Sequence, residues 1–234
     1  MTADRSWRGG KGFFVTGTDT GVGKTRIASA LLHALAGRGL RAVGMKPVAA
    51  GAHDEAGTLM NEDVAVLKSA SSVAAPHVLV NPYCFTSAIA PHLAAAEAGV
   101  IIDPGHIIRS CLALLEMADV VVVEGAGGFC VPLGPHSGMA DLARELGFPV
   151  ILVVGMRLGC LNHALLTAAA VRAMGLPLQA WVANHIDPAM QRPDENVATL
   201  ERRLGAPLLA RCAYSETSDP AALAHELRID VLQG

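Results

Sequence analysis

The sequence predicts an α/β fold in which one mostly parallel β-sheet is flanked by helices. Short apolar runs typical of buried strands alternate with segments of helical periodicity along the chain. The four consecutive valines at residues 120–123 are typical of a central strand that is covered on both faces. Hydrophobic residues make up 52% of the chain and aromatic residues only 4%, so the core must consist mainly of small and branched aliphatic side chains.

The first element is a strand at residues 13–15, followed by a loop with three glycines and a helix that begins near Lys24. This order of strand, glycine loop, Gly-Lys-Thr and helix is the context of a phosphate-binding loop, or P-loop. Loop N–H groups and the helix N-terminus can cradle phosphate. Lys24 would reach the β- and γ-phosphates of a nucleotide, and the Thr25 hydroxyl would bind Mg²⁺. The loop is one residue longer than the common form, since its first glycine is Gly17.

A second strand is predicted at residues 41–46, with Lys46 at the carboxyl end, where open α/β sheets bind ligands. Lys46 could hold a transferring phosphoryl group, or it could be an ordinary surface lysine. Residues 49–61 are predicted to form a loop before a short helix. Asp63, in the first turn of that helix, is either a helix cap or a carboxylate for Mg²⁺, and its position alone favours the cap.

The central strand at residues 120–123 ends in Glu124, and small residues follow as far as Gly128. An acid at the tip of an apolar strand is the Walker B arrangement, which binds the Mg²⁺ of a nucleotide. The alternative is an exposed glutamate before a glycine turn. The P-loop earlier in the chain favours the Mg²⁺ interpretation, and the small residues would let the backbone approach a ligand closely.

Further elements continue the alternation. Asp103 and Pro104 mark a helix start, with aspartate as the cap and proline in the first turn. Asn184 ends a predicted strand, where it could pair with a base edge or serve as a turn residue. The helix after residue 159 could hold an anion at its N-terminus, although an ordinary strand-to-helix loop is the simpler interpretation. Strands are also predicted at residues 80–85 (strand or extended), 149–155, 176–184 and 207–212, and helices at 93–98, 139–146, 193–204 and 221–227.

Composition and charge exclude several classes of protein. With 18 basic and 21 acidic residues, the net charge of −3 gives no electrostatic case for binding nucleic acid or an anionic membrane. Five cysteines without a C-x-x-C pair favour reduced thiols in a cytoplasmic protein. No apolar run approaches the ~20 residues of a membrane span. Residues 1–10 lack the apolar core of a signal peptide and are expected to form a flexible tail, with 11–234 as a single P-loop domain.

Taken together, these residues resemble the dethiobiotin synthetase family. The resemblance runs in order from about position 13 to 185 and implies a single P-loop NTPase-like α/β domain that works as a homodimer. It is carried by Val15-Thr-Gly-Thr-Asp-Thr-Gly-Val-Gly-Lys-Thr25, Lys46-Pro-Val48, Asn81-Pro-Tyr83, Pro91-His92, Val123-Glu-Gly-Ala-Gly-Gly128, Gly159-Cys-Leu-Asn-His163 and Trp181-Val-Ala-Asn184.

The resemblance also implies a reaction. In this family 7,8-diaminononanoate, CO₂ and ATP react with Mg²⁺ present, and one amine is first carboxylated to a carbamate. ATP phosphorylates the carbamate to a mixed anhydride, and the second amine then closes the ureido ring of dethiobiotin with release of ADP and phosphate. A carbamate is a poor electrophile and the anhydride a good one, so the protein must supply mainly positive charge and positioning.

Carried over residue by residue, the resemblance implies the site. Thr25, Asp63 and Glu124 would bind Mg²⁺. For Asp63, the resemblance therefore favours the Mg²⁺ interpretation over the helix cap. Lys24, Lys46 and Thr20 would form the catalytic set around the γ-phosphate and the carbamate. Asn184 would bind adenine. The nucleotide would be held by Gly21, Val22, Gly23, Lys24, Thr25, Glu124, Gly127 and Asn184, and the diamine by Lys46 and Gly127, with Gly159, Cys160 and Asn162 reaching in from the partner subunit.

Two departures from the family pattern stand out. The family often has glutamate at Gly21 and serine at Ala50, so one carboxylate and one hydroxyl contact are lost. Neither change removes a charge that the mechanism needs.

Three alternatives share the architecture. A ParA/MinD-like ATPase usually carries an extra lysine near the start of the loop, where this chain has Asp19 and Thr20. A cobyrinate-amidase-like ligase would need a glutaminase part, for which the chain is too short. An inactive paralogue is the third alternative, and the retained Lys24, Lys46 and Glu124 argue against it.

Overall fold

The computed structural model describes residues 11–55, 57–215 and 219–233, in which helices and strands alternate; the expected N-terminal tail, residues 1–10, lies outside them. The strands are β1 Gly12–Gly17, β2 Ala42–Met45, β3 Val48–Ala50, β4 His53–Glu55, β5 Thr58–Met60, β6 Tyr83–Phe85, β7 Val120–Gly128, β8 Val150–Met156, β9 Leu178–His185 and β10 Leu208–Cys212. The helices are α1 Lys24–Gly37, α2 Glu62–Ala70, α3 His77–Val80, α4 Pro91–Glu97, α5 Pro104–Met117, α6 Met139–Leu146, α7 Cys160–Ala173, α8 Pro193–Leu204 and α9 Pro220–Leu223, with 3₁₀ turns at Ala224–Glu226 and Ile229–Leu232.

The predicted parallel sheet is confirmed. Six strands pair in the order β10-β9-β8-β1-β7-β2, and every pair is parallel. The register of β1 with β7 places Val15 opposite Glu124, and that of β2 with β7 places Met45 opposite Val123. Because all strands point the same way, the P-loop, Lys46 and Glu124 meet at one edge of the sheet.

The core lies on both faces of this sheet, because successive strand residues point to opposite sides. Phe13 and Val15 pack with Leu31 of α1 on one face. Phe14 lies on the opposite face, in a cluster that includes Leu114 of α5 and residues of α6. All six residues of β1 are buried, as expected for a strand covered on both faces. The sheet edge that carries the site therefore stands on a close-packed support.

The prediction that residues 49–61 form a loop was wrong. Residues of β3 pair in parallel with β6, and β4 and β5 form an antiparallel hairpin. Each of these strands has three residues, and β3 depends on a partner far along the chain, which no local pattern reveals. Two smaller differences occur elsewhere. Val80 ends a helix rather than starting a strand, and the last helix becomes 3₁₀ after Leu223.

Among the helices of the described residues, none combines the length and the apolar character that a bilayer crossing requires.

Candidate active site at the carboxyl edge of the sheet

A cavity of about 690 Å³ opens where β1, β2 and β7 end. The P-loop and the segment before α4 both contribute to its lining. Charged groups of both signs meet at its base. Its lining comprises Thr20, Gly21, Gly23, Lys24, Thr25, Lys46, Val48, Ala50, Asp63, Ala88, Ile89, Ala90, Pro91, Glu124, Ala126, Gly127 and Val131.

The P-loop between β1 and α1 depends on glycine at two positions. Gly21 and Gly23 have φ angles of 73° and 89°, in the left-handed region that side chains disfavour. A Cβ on Gly23 would also lie 2.3 Å from the Asn184 amide nitrogen, whereas one on Gly21 would meet no atom of the described residues within 4 Å. Among the described residues, no side chain caps the start of α1. Its first N–H groups therefore remain available for an anion, as a phosphate cradle requires.

Lys24 lies at the base of this loop and is 6% exposed. Its ammonium group donates to the Asp19 carbonyl at 3.0 Å. Burial lowers the pKa of Lys24, and the neighbouring Lys46 ammonium lowers it further. The Asp19 carboxylate pairs with Arg157 at 2.6 Å and accepts from the Thr20 N–H at 2.8 Å. The loop conformation is thus tied to the end of β8.

The centre of the site is a cluster of two carboxylates, one lysine and one hydroxyl. The Lys46 ammonium donates to Glu124 Oε1 at 2.5 Å and to Asp63 Oδ2 at 2.8 Å. The Thr25 hydroxyl lies 2.8 Å from Asp63 Oδ1 and 2.9 Å from Glu124 Oε1. A hydroxyl has only one proton, so it can donate to only one of these carboxylates at a time. The interpretation of Lys46 as an ordinary surface lysine was wrong, since it is 4% exposed.

Lys46 and Asp63 shift each other's pKa within the cluster. Burial alone would lower the pKa of Lys46, but the Glu124 and Asp63 carboxylates outweigh it and hold that pKa above its usual value. Burial alone would raise the pKa of Asp63, but the Lys46 ammonium and hydrogen bonds from Lys46 and Thr25 hold it below its usual value. The ammonium and the carboxylate each stabilise the other's charged form.

Asp63 does not cap α2. The cap is Asn61, whose side-chain oxygen accepts from the Asp63 and Val64 N–H groups at 3.1 and 3.4 Å. The Asn61 amide also donates to the Ala50 carbonyl at 3.1 Å. Sequence reasoning missed Asn61, although an asparagine directly before Glu62 and Asp63 is a helix-start signal. The Asp63 carboxylate is therefore free to join the cluster.

The residues fit a hard divalent cation that also binds phosphate. Within the described ranges, no group of three or more His, Cys, Asp and Glu side chains forms a complete metal cage. Two carboxylates and a hydroxyl are what Mg²⁺ uses when a nucleotide supplies its other ligands. Glu124 Oε2 is buried and has no hydrogen-bond partner among the described residues, so it is available to coordinate a cation.

Asn184 lies behind the P-loop, outside the cavity lining. Its amide donates to the Val22 carbonyl at 2.8 Å, and its oxygen accepts from Arg26 at 3.1 Å. Arg26 also donates to the Ala213 carbonyl at 3.4 Å. Asn184 is 2% exposed, so it is no ordinary turn asparagine. The Asn184 side chain thus ties the end of β9 to the P-loop, and Arg26 connects this pair to the chain that follows β10.

Gly159, Cys160 and Asn162 lie at the start of α7 and do not line the cavity of this protomer. Gly159 and Asn162 are exposed, while Cys160 is buried in the core against β8 and β9. The adjacent Leu158 is 95% exposed. The cavity lining does include Thr20, Gly21, Gly23 and Gly127, whereas the Val22 side chain is buried beneath the loop.

Comparison with known proteins places this geometry in context. A family model described as an AAA domain matches residues 11–222. The chain is 55% identical over 229 residues to the ATP-dependent dethiobiotin synthetase BioD of Aromatoleum aromaticum, covering 98% of this chain and 99% of the relative. It is 53% identical over 220 residues to the protein of the same name from Nitrosospira multiformis, covering 94% and 96%.

Solved structures share the fold. A ParA family ATPase from Chlorobium tepidum superposes with a TM-score of 0.55 at 14% identity, covering 96% of this chain and 97% of that one. The septum site-determining protein MinD from Pyrococcus horikoshii, solved with Mg-ADP, gives a TM-score of 0.57 at 15% identity, covering 95% and 94%. These likenesses concern architecture only, which is that of P-loop NTPases.

Proposed function

This chain belongs to the ATP-dependent dethiobiotin synthetase family, and on that premise we propose that it closes the ureido ring of dethiobiotin on 7,8-diaminononanoate, using CO₂ and ATP. It is an ATP-dependent ligase of biotin biosynthesis. The finer proposal is a carbamate that is phosphorylated to a carbamic-phosphoric anhydride and then attacked by the second amine. The identity over nearly the full length disfavours the ParA/MinD-like and amidase-like alternatives, which share only the architecture. The retained Lys24, Lys46 and Glu124 disfavour an inactive paralogue.

The observation that carries the proposal is the convergence of Lys24 and Lys46 on one cavity. Lys46 uses two of its three ammonium protons on Glu124 and Asp63, which leaves one for an anionic substrate group. Lys24 uses one proton on the Asp19 carbonyl, which leaves two. Two ammonium groups at one cavity suit a reaction that transfers a phosphoryl group to a carbamate, because both partners are anions.

The remaining residues at the cavity divide between nucleotide and metal. The backbone of residues 20–23 and the Thr20 side chain would contact the phosphates, with Gly127 facing them from β7. Thr25, Asp63 and Glu124 would hold Mg²⁺, which when bound would neutralise phosphate charge. Asn184 would contact the base from behind the loop. The space beside Gly21 is open, so the absence of the family's carboxylate there leaves the phosphate cradle unobstructed.

The start of α7 supports a shared site. Gly159, Cys160 and Asn162 do not line the protomer's own cavity, so they can reach a diamine only from a second copy. We propose a homodimer in which the exposed Gly159 and Asn162 hold the carboxylate end of the diamine bound to the partner, while Cys160, whose side chain is buried, supports this turn from the core. The five free cysteines favour a reducing compartment and hence the cytoplasm.

The test is a turnover assay with mass-spectrometric detection. We expect phosphate release to require the diamine, bicarbonate and Mg²⁺ together, with one ureido product formed per ATP consumed. Phosphate release that is unaffected by the diamine, or an absence of ureido product, would contradict the proposal. Omitting each component in turn supplies the controls.

A further inference from the structure

Lys46 stands where the chain leaves the sheet. β2 ends at Met45, and Pro47, which has no N–H group, follows. The Lys46 side chain must nevertheless keep its ammonium between two carboxylates at 2.5 and 2.8 Å. Its backbone therefore has to be fixed by something other than the sheet ladder.

The segment from Val80 to Tyr83 fixes it. The Lys46 N–H donates to the Val80 carbonyl at 2.8 Å, and the Tyr83 N–H donates to the Pro47 carbonyl at 3.2 Å. Between these bonds, the Asn81 side-chain amide donates to the Lys46 carbonyl at 2.6 Å. Its second amide proton goes to the Tyr83 carbonyl at 2.9 Å. One side chain thus bridges the backbones of both segments.

Asn81 is 4% exposed, and its side-chain oxygen, Oδ1, is buried with no hydrogen-bond partner among the described residues. A buried, unpaired acceptor is unfavourable. A side chain without an acceptor atom would avoid this cost. The environment of the Asn81 oxygen therefore does not explain why asparagine occurs here. The two amide protons do, since no aliphatic side chain of this size can donate to two carbonyls.

We propose that Asn81 is a positioning residue for Lys46, which holds the lysine peptide so that the ammonium stays in the carboxylate cluster and can meet the anionic substrate. Asn81 acts through Lys46 and touches no reacting group. The inference rests on the proposed function for its catalytic consequence, but its structural part stands on the hydrogen bonds alone.

Two variants test the donors. Asn81→Leu keeps the branch at Cγ and removes both protons, and Asn81→Ser keeps a polar group that can donate to only one carbonyl. Asn196→Leu is the chemical control, because Asn196 also donates its amide to a backbone carbonyl, that of Arg192 at 2.8 Å, but lies in α8. Leu114→Ala, in the core of α5, is the control for lowered stability.

We expect both Asn81 variants to lower kcat for ring closure by up to about 100-fold, the scale of a small misplacement of a catalytic group. The Kd of ATP measured without Mg²⁺ should stay unchanged, since the P-loop is not involved. Asn196→Leu should match the wild type, and Leu114→Ala should keep its kcat when assayed below its own Tm. A kcat at wild-type level in both Asn81 variants would overturn the inference. So would a loss that Leu114→Ala reproduces at equal Tm.

A second measurement separates this inference from the proposed function. Hydrogen exchange of the Lys46 amide, which bonds to Val80, should quicken in Asn81→Leu relative to both the wild type and Asn196→Leu. If the wild type forms no ureido product, the proposed function fails, and the exchange rate still decides whether Asn81 holds Lys46. Unchanged exchange at Lys46 would overturn the positioning role even in an active enzyme.

Discussion

The Lys46 ammonium lies 2.5 Å from the Glu124 carboxylate, and both side chains are almost fully buried. The pair forms because β2 and β7 are neighbours whose register puts Met45 opposite Val123, so Lys46 and Glu124, which follow them in the chain, lie side by side. A buried pair of this kind is costly to break, since the remaining charge has no water around it. The same contact therefore affects both stability and chemistry.

Lys46→Ala should abolish ring closure while the fold persists. It leaves Glu124 buried without its cation, which is expected to lower the free energy of unfolding by about 3–5 kcal/mol. The double variant Lys46→Ala with Glu124→Gln removes that charge and should regain most of the stability but none of the activity. Chemical denaturation and product formation measure the two effects. Full activity in Lys46→Ala would refute the role given to this lysine.

Glu124→Gln should weaken the response to Mg²⁺. The change keeps the shape of the side chain but removes one of the two carboxylates proposed for the metal. Nucleotide affinity measured with and without Mg²⁺ should differ less in the variant than in the wild type. Glu116→Gln, which alters an acid on α5 away from the cavity, is the control. An unchanged Mg²⁺ response in Glu124→Gln would remove Glu124 from the metal site.

Gly23→Ala should lower both stability and nucleotide affinity. The left-handed backbone costs roughly 1–2 kcal/mol for a residue with a Cβ. That Cβ would in addition collide with the Asn184 amide at 2.3 Å. Gly21→Ala has a similar φ but open space, so it should show only the backbone cost. Equilibrium unfolding and ATP titration would compare the two, and equal losses would contradict the proposed collision.

Asp103 should give α5 a pH-dependent cap. Its carboxylate accepts from the Gly105 and His106 N–H groups at 2.9 and 3.1 Å. The bond from Gly105, above all, lowers the pKa of Asp103. A depressed folded-state pKa contributes stability above the unfolded pKa, and this is lost as the pH falls through the folded value. Asp103→Asn keeps the acceptor, so the stability difference from the wild type should vanish in acid. A difference that persists at low pH would refute this.

Mixing inactive variants should test the shared site. If α7 serves the partner's cavity, a heterodimer of Lys46→Ala and Asn162→Ala carries both defects in one of its two sites. Its other site combines an intact Lys46 with an intact Asn162. A randomly reassembled mixture should then regain about one quarter of wild-type activity. Each variant mixed with the wild type is the control. Mixtures that remain as inactive as the separate variants would contradict a shared site.

The sequence by itself determined the parallel α/β fold and the approximate positions of the main strands. Alternating apolar runs, the Gly-Lys-Thr motif and the acid after residues 120–123 predicted the fold, the P-loop and the place of Glu124 in the site, because these signals are local and periodic. The predicted strand end was wrong, since β7 continues past Glu124 to Gly128. Helix boundaries at residues 139–146 and 193–204 were also predicted correctly. Resemblance to a family supplied the reaction, which no local pattern contains.

Only the tertiary structure decided what the polar side chains do. Asp63 had the position of a cap, but Asn61 takes that role because its oxygen reaches two N–H groups, and the Asp63 carboxylate turns to Lys46 instead. In the sequence, Asn81 is only the first residue of the Asn81-Pro-Tyr83 motif. The fold brings its side chain to the Lys46 carbonyl, 35 residues away in the chain. Hydrogen bonds between distant segments depend on which strands become neighbours, and that outcome follows from packing of the whole core.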